Sequence, residues 1–134
     1  MTAFDTNVLI YACDRSDPVK QAKALELIAS ATDAVLLWQV ACEFIAASRK
    51  LAAQGFTQED AWNRLADFLS IFLLVTPSSQ VLMGAEDLHL KQGWSFWDAM
   101  IVAACLECGV TRLYSEDLPG RAAPAGVEVV NPFD

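Results

Sequence analysis

Four carboxylates carry the chemistry in this sequence: Asp5, Glu43, Asp98 and Asp117. Each stands where an apolar run gives way to polar residues. Two unit charges about 4 Å apart repel by roughly 4 kcal/mol at an effective dielectric of about 20, so acids gathered without basic partners call for a cation. Ligand sets made only of oxygen suit Mg²⁺ or Mn²⁺. Such an ion lowers the pKa of bound water and neutralises charge that develops on a phosphate. If the four acids meet, phosphate chemistry is the reaction class to expect.

Whether they meet depends on the elements that carry them. Residues 2–5 predict a short strand, followed by a turn and a helix over 7–13. Asp17-Pro18 reads as an N-cap with proline in the first turn of a helix reaching Ser30. A buried strand at 34–37 leads into a helix over 39–54, which Gly55 ends. Thr57, with Glu59 and Asp60 in the first turn, opens a helix through Ser70. A strand is expected at 72–75, and Ser78 or Ser79 caps a helix to Lys91. Ser95 opens the most apolar helix, which closes at Cys108 with Gly109 as its C′ residue. Strands follow at 110–114 and 127–130. Strands alternating with helices predict an α/β fold with a parallel sheet covered on both faces.

In that class, ligands bind beyond the carboxyl ends of the strands. Asp5 ends the first strand. Glu43 lies about one turn into the helix after the second. Asp98 lies in the first turn of the helix before a later strand, and Asp117 lies in the turn Ser115-Glu116-Asp117 after residues 110–114. Four separate segments thus bring a carboxylate to one rim. Each acid also has a purely structural reading. Asp5 fits an Asx turn, Asp98 fits the capping-box spacing from Ser95, and Asp117 fits the turn before Pro119-Gly120. Glu43, on the flank of the stripe Val40, Phe44, Ala47 and Leu51, fits a solvated helix margin. Lys50 shares the face of Glu43 and reads as solvent-facing.

Composition narrows the classes. A chain of 134 residues with 54% hydrophobic residues can bury a substantial core and fits a single domain over 1–134. No apolar run reaches the roughly 20 residues of a membrane span, and no basic segment precedes an apolar one at the start. A cytoplasmic location is expected. The four cysteines imply no disulfide framework. Cys105 and Cys108 form a C-x-x-C pair inside an apolar helical run and read as packing, while Cys13 and Cys42 read as small buried residues. A net charge of −8 argues against a general nucleic-acid binder, though an acidic catalytic site accounts for part of it. His89, the only histidine, reads as surface or packing.

At these residues the chain resembles the PIN-domain family and, within it, the VapC-like toxins of bacterial toxin–antitoxin modules. The matching segments are Phe4-Asp5-Thr6-Asn7-Val8-Leu9-Ile10-Tyr11-Ala12, Glu43-Phe44, Ser95-Phe96-Trp97-Asp98-Ala99-Met100-Ile101 and Leu113-Tyr114-Ser115-Glu116-Asp117-Leu118, with Asn131-Pro132-Phe133 at the end. The resemblance implies a three-layer α/β/α sandwich with a central parallel sheet and an endoribonuclease dependent on Mg²⁺ or Mn²⁺. It makes Asp5, Glu43, Asp98 and Asp117 the catalytic, metal-binding quartet, with Asp5 and Asp98 as direct ligands. Thr6 and Asn7 fall where the family has small polar residues that support the first aspartate. Products carrying a 5′-phosphate and a 3′-hydroxyl, a cognate antitoxin that covers the acidic groove, and a homodimer are also implied.

Two positions depart from the family pattern. Cys42 replaces a small hydroxyl residue before the glutamate, and Ala46 replaces an asparagine after it. Glu116, beside Asp117, competes with it for the fourth position. Two rivals remain in view. An aspartate-nucleophile phosphatase would need a second aspartate where Asn7 stands. A catalytically silent binding module would use Trp38, Trp62, Trp94 and Trp97 as interface anchors, although core packing is the expected fate of most of them.

Overall fold

Short runs of apolar residues between turn signals give five strands among the described residues, and the helices between the first four force parallel pairing there. The computed structural model describes residues 1–118 and 126–134. Along the chain lie β1 (Thr2–Phe4), α1 (Thr6–Cys13), α2 (Pro18–Ser30), β2 (Ala34–Leu37), α3 (Trp38–Ala47), a 3₁₀ segment (Ser48–Gln54), α4 (Gln58–Ile71), β3 (Leu73–Val75), α5 (Ser79–Gln92), α6 (Phe96–Cys108), β4 (Arg112–Tyr114) and β5 (Glu128–Val130). The sheet order is β3-β2-β1-β4-β5, with every pairing parallel. α5 packs on α6, while α1 packs on α2 and α3, and α3 on α4. The result is a three-layer α/β/α sandwich.

The chain runs outward from β1 through β2 to β3, and on the other side from β4 to β5. The order therefore reverses between β1 and β4, which is the crevice where open α/β sheets bind ligands. Phe4 pairs with Tyr114 in register, so Asp5 and Ser115 leave the sheet side by side. The Asp5 amide donates to the Tyr114 carbonyl at 2.8 Å and prolongs the ladder to that point.

Central strands are buried on both faces, as parallel sheets require. Ala3, Phe4, Val35, Leu36 and Leu37 are all buried, whereas Leu73 on the edge strand β3 is 72% exposed. A row of aromatic rings crosses the core. Phe44 meets Phe68 edge-on at 5.4 Å, Phe68 neighbours Phe72 at 6.4 Å, Phe72 lies 5.6 Å from Phe4, and Phe4 stacks on Tyr114 at 5.9 Å. α3, α4, β1 and β4 are thereby locked into one packed unit. Offset and edge-on aromatic pairs add about 0.5–1.5 kcal/mol each beyond their buried area.

Local signals set most helix boundaries. Asp17 accepts from the Lys20 amide at 3.2 Å ahead of Pro18. Thr57 and Asp60 form a reciprocal capping box. Ser95 accepts from the Asp98 amide at 3.3 Å, and Gly109 closes α6 with φ at +83°. The helix expected over 39–54 is corrected: it starts at Trp38, is α-helical only to Ala47 and tightens into the 3₁₀ segment. At the change, Ser48 is fully buried and donates back to the Ile45 carbonyl at 2.8 Å, and Gln58 from α4 donates to the same hydroxyl. Gly55 ends the segment with φ at +81°, as expected.

Three further expectations are corrected. Cys42 is exposed, not buried, because it sits on the outer face of α3, while Cys13 is buried as expected. Trp38, Trp62 and Trp97 are 47%, 59% and 62% exposed, and only Trp94 packs in the core. Phe72 caps α4 rather than starting β3. In α6, Cys105 is buried with its thiol pKa pushed up by that burial, and the Cys108 Sγ donates to the Cys105 carbonyl at 3.7 Å. His89 lies near the end of α5, with Nδ1 2.7 Å from the Trp94 carbonyl. Among the described residues, no helix is long and apolar enough to cross a membrane.

Candidate active site

Asp5 is the centre of the site, because the turn from β1 into α1 buries its carboxylate to 7% exposure. It caps α1, with Oδ1 accepting from the Thr6 amide at 2.7 Å. Oδ2 accepts from the Ser115 hydroxyl at 2.7 Å, and that oxygen in turn accepts from the Leu118 amide at 3.1 Å. Burial raises the pKa of Asp5. The Ser115 and Thr6 hydrogen bonds oppose the rise, and the charges of Glu43 and Asp98 add to it. The charges of Glu43 and Asp98 thus reach the buried Asp5 carboxylate.

Glu43 lies on α3. Its Oε2 accepts from the Thr6 hydroxyl at 2.9 Å and its Oε1 from the Gln39 amide at 2.5 Å. Gln39 also donates to the Trp97 carbonyl at 3.2 Å and so ties the start of α3 to the start of α6, where Asp98 lies. The Asp98 backbone amide completes the Ser95 cap, and among the described residues its carboxylate has no hydrogen-bond or ion-pair partner. Asp117 is exposed, with Oδ2 accepting from Asn7 Nδ2 at 3.1 Å. Asn7 also accepts from the Glu116 amide through Oδ1 at 3.3 Å. Pro119-Gly120, which the sequence places after Asp117, lies outside the described residues.

Thr6 and Asn7 thus do more than support Asp5: one hydroxyl holds Glu43 and one amide holds Asp117. Ser115 and Gln39 were missed from the sequence. Ser115 becomes visible only once β4 is known to neighbour β1. Gln39 carries a local sign, since it sits four residues before Glu43 on the same helix face.

The donor set suits a hard divalent cation by element and by charge. All candidate ligands are carboxylate oxygens, Asp5 is desolvated beside two more negative groups, and among the described residues no basic side chain pairs with any of the four. As they stand, no three acidic, histidine or cysteine side chains among the described residues are gathered closely enough to hold an ion. The acids are not drawn together. Beside them, Gln39, Cys42, Glu43, Ala46 and Trp97 line an open depression of about 460 Å³. A cavity of about 490 Å³ lies at the amino ends of the strands, where Met1 pairs with Asp33 and Arg112 with Glu128. It is remote from the four acids and its charges are already matched.

Residues 3–118 match the sequence profile of the PIN domain family. The chain belongs to that family. No curated protein sequence matches it. Three solved structures share the fold of this PIN domain. A toxin–antitoxin complex from Klebsiella pneumoniae superposes with a TM-score of 0.70 at 22% identity, covering 100% of this chain and 99% of that one. VapBC2 from Rickettsia felis, bound to a DNA fragment from its promoter, gives 0.69 at 17% identity, with 97% of each chain covered. VapC20 from Mycobacterium tuberculosis, a sarcin–ricin loop cleaving toxin, gives 0.71 at 18% identity, covering 96% and 98%. Near-complete coverage in both directions means that the PIN fold of this chain has the extent found in those proteins.

Proposed function

We propose that this PIN domain is an Mg²⁺- or Mn²⁺-dependent endoribonuclease, the toxin of a toxin–antitoxin pair. The observation that carries the reading is the buried Asp5 carboxylate at the point where the sheet order reverses, with Thr6 bonded both to it and to Glu43. Family membership and the likeness to toxins, one of them described as cleaving the sarcin–ricin loop, support it.

Asp5 and Asp98 hold the ion in this scheme. Glu43 and Asp117 would orient the attacking water or a second ion. When bound, the ion lowers the pKa of the attacking water and neutralises charge developing at the scissile phosphate. The Ser115 and Thr6 bonds fix Asp5 in one orientation, and Thr6 with Gln39 holds both oxygens of Glu43, so the chain supplies the pre-organised geometry such chemistry needs. No histidine is required.

Two protein partners belong to this reading. Trp38 and Trp62 flank a groove of about 390 Å³ between α3 and α4 that is almost wholly apolar, and it adjoins the depression beside Glu43 through Cys42. We assign this exposed apolar surface to the antitoxin, and a homodimer belongs to the same reading through the family resemblance. The scattered acids favour one alternative, a PIN fold retained only for binding.

The test is a map of cleavage ends in total RNA after brief expression, wild type against Asp98→Asn. New 5′-phosphate ends at defined sites are expected with wild type and none with the variant. Calorimetric Mn²⁺ binding by wild type without any new ends would replace the nuclease reading with the binding-only one.

A further inference from the structure

The turn Ser115-Glu116-Asp117 offers two adjacent acids, and the structure treats them very differently. Glu116 Oε1 accepts from the Tyr11 hydroxyl at 2.7 Å, and Oε2 accepts from Lys20 Nζ at 2.6 Å. Lys20 Nζ also lies 3.2 Å from the Tyr11 oxygen, 4.7 Å from the centre of the Tyr11 ring and 5.6 Å from that of Phe133. Phe133 closes the cluster by meeting Tyr11 edge-on at 4.9 Å. Both oxygens of Glu116 are thus spoken for. Among the described residues Asp117, one residue on, is held only through Asn7, and it is exposed.

The position of Lys20 points the same way. It is the third residue of α2, where the helix dipole disfavours a cation. A lysine there works against its own helix, and the contacts that offset this all lie in the Glu116 cluster.

We propose that Lys20, acting through Glu116, is a positioning residue of the acidic site: it fastens the β4 turn to α1 and α2, and so makes Asp117 rather than Glu116 the fourth acid. The inference rests on the nuclease reading above and adds to it which acid serves. The turn is then pinned at three points. Ser115 is tied to Asp5, Glu116 to Tyr11 and Lys20, and Asp117 to Asn7. Releasing the middle pin lets Asp117 drift from the others and puts a second free negative charge beside it.

The experiment is Mn²⁺ titration by calorimetry on the full chain, with thermal melting in EDTA and RNA cleavage measured in parallel. Lys20→Met and Glu116→Gln are each expected to raise the Mn²⁺ Kd about three- to tenfold, and the double variant no further, as expected of two residues acting as a unit. Lys20→Arg restores the wild-type Kd, and saturating Mn²⁺ restores kcat in Lys20→Met with KM for RNA unchanged. Two results overturn the inference. In one, Glu116→Gln costs as much as Asp117→Asn and adds to Lys20→Met, which makes Glu116 a ligand. In the other, Lys20→Met lowers only the melting temperature and keeps the wild-type Kd, which makes the cluster a fold staple. Wild type that neither binds Mn²⁺ nor cleaves RNA would instead remove the nuclease reading itself.

Discussion

Asp5→Asn is expected to lower metal-dependent RNA cleavage by at least about a thousandfold, equivalent to about 4 kcal/mol of lost transition-state stabilisation, and to leave the metal-free protein no less stable. The two halves have one cause. The Asp5 carboxylate is desolvated and faces the charges of Glu43 and Asp98, so without an ion it costs the fold free energy. Asparagine keeps the acceptor for the Thr6 amide. Its amide group faces the Ser115 hydroxyl, whose proton then loses its partner at a cost of about 1 kcal/mol. Relief of the buried charge offsets that loss.

The sign with pH follows from the raised pKa. As pH falls, folded Asp5 takes up its proton before the unfolded chain does. The cost is therefore present in full at pH values above the folded pKa, shrinks as pH falls from there toward the ordinary carboxylate value, and is gone below it. Melting in EDTA is expected to show wild type gaining stability relative to Asp5→Asn between neutral pH and the ordinary carboxylate range. Added Mn²⁺ should raise the melting temperature of wild type alone. A variant that cleaves RNA at the wild-type rate would exclude Asp5 from the chemistry.

Phe44→Ala is the second large effect, at about 3–5 kcal/mol of destabilisation and a fall in Tm of roughly 10–20 °C. Phe44 is fully buried and begins the aromatic row that runs through Phe68, Phe72 and Phe4 to Tyr114. Its removal leaves a cavity between α3 and α4 that neighbouring backbone cannot fill. Because Phe44 follows Glu43 and Phe4 precedes Asp5, the row also sets the spacing of two acids. Phe44→Leu retains most of the volume and should cost less than half as much. Equal melting curves for Phe44→Ala and wild type would mean that the row is not the spine of the core.

Where structure is fixed by near neighbours in sequence, the sequence shows it. Asp17-Pro18, the Thr57–Asp60 box, Ser95 and Gly109 each act within four residues, and the helix ends fall where those signals put them. The break at Ser48 was hidden, because its cause includes Gln58 of a different helix. The outward faces of Trp38, Trp62 and Trp97 were hidden for a related reason. Apolar character says that a side chain prefers cover, but not whether the cover comes from its own chain. For the site, the four acids were legible as ends of elements. Their supports were not, since Ser115 meets Asp5 only through the β1–β4 pairing, and Glu116 is separated from Asp117 only by where Lys20 and Tyr11 project.

The amide of Asp5 bonded to the Tyr114 carbonyl has a consequence for timescales. Amides of a central ladder exchange with solvent only in the rarest and largest openings, whereas those of exposed turns exchange in small local ones. One acid therefore rides on the slowest-opening part of the molecule, and Asp117 rides on an outer turn one ladder step away. Hydrogen exchange is therefore expected to be uneven across the site, sooner at the turn that holds Asp117 than at the Asp5 amide.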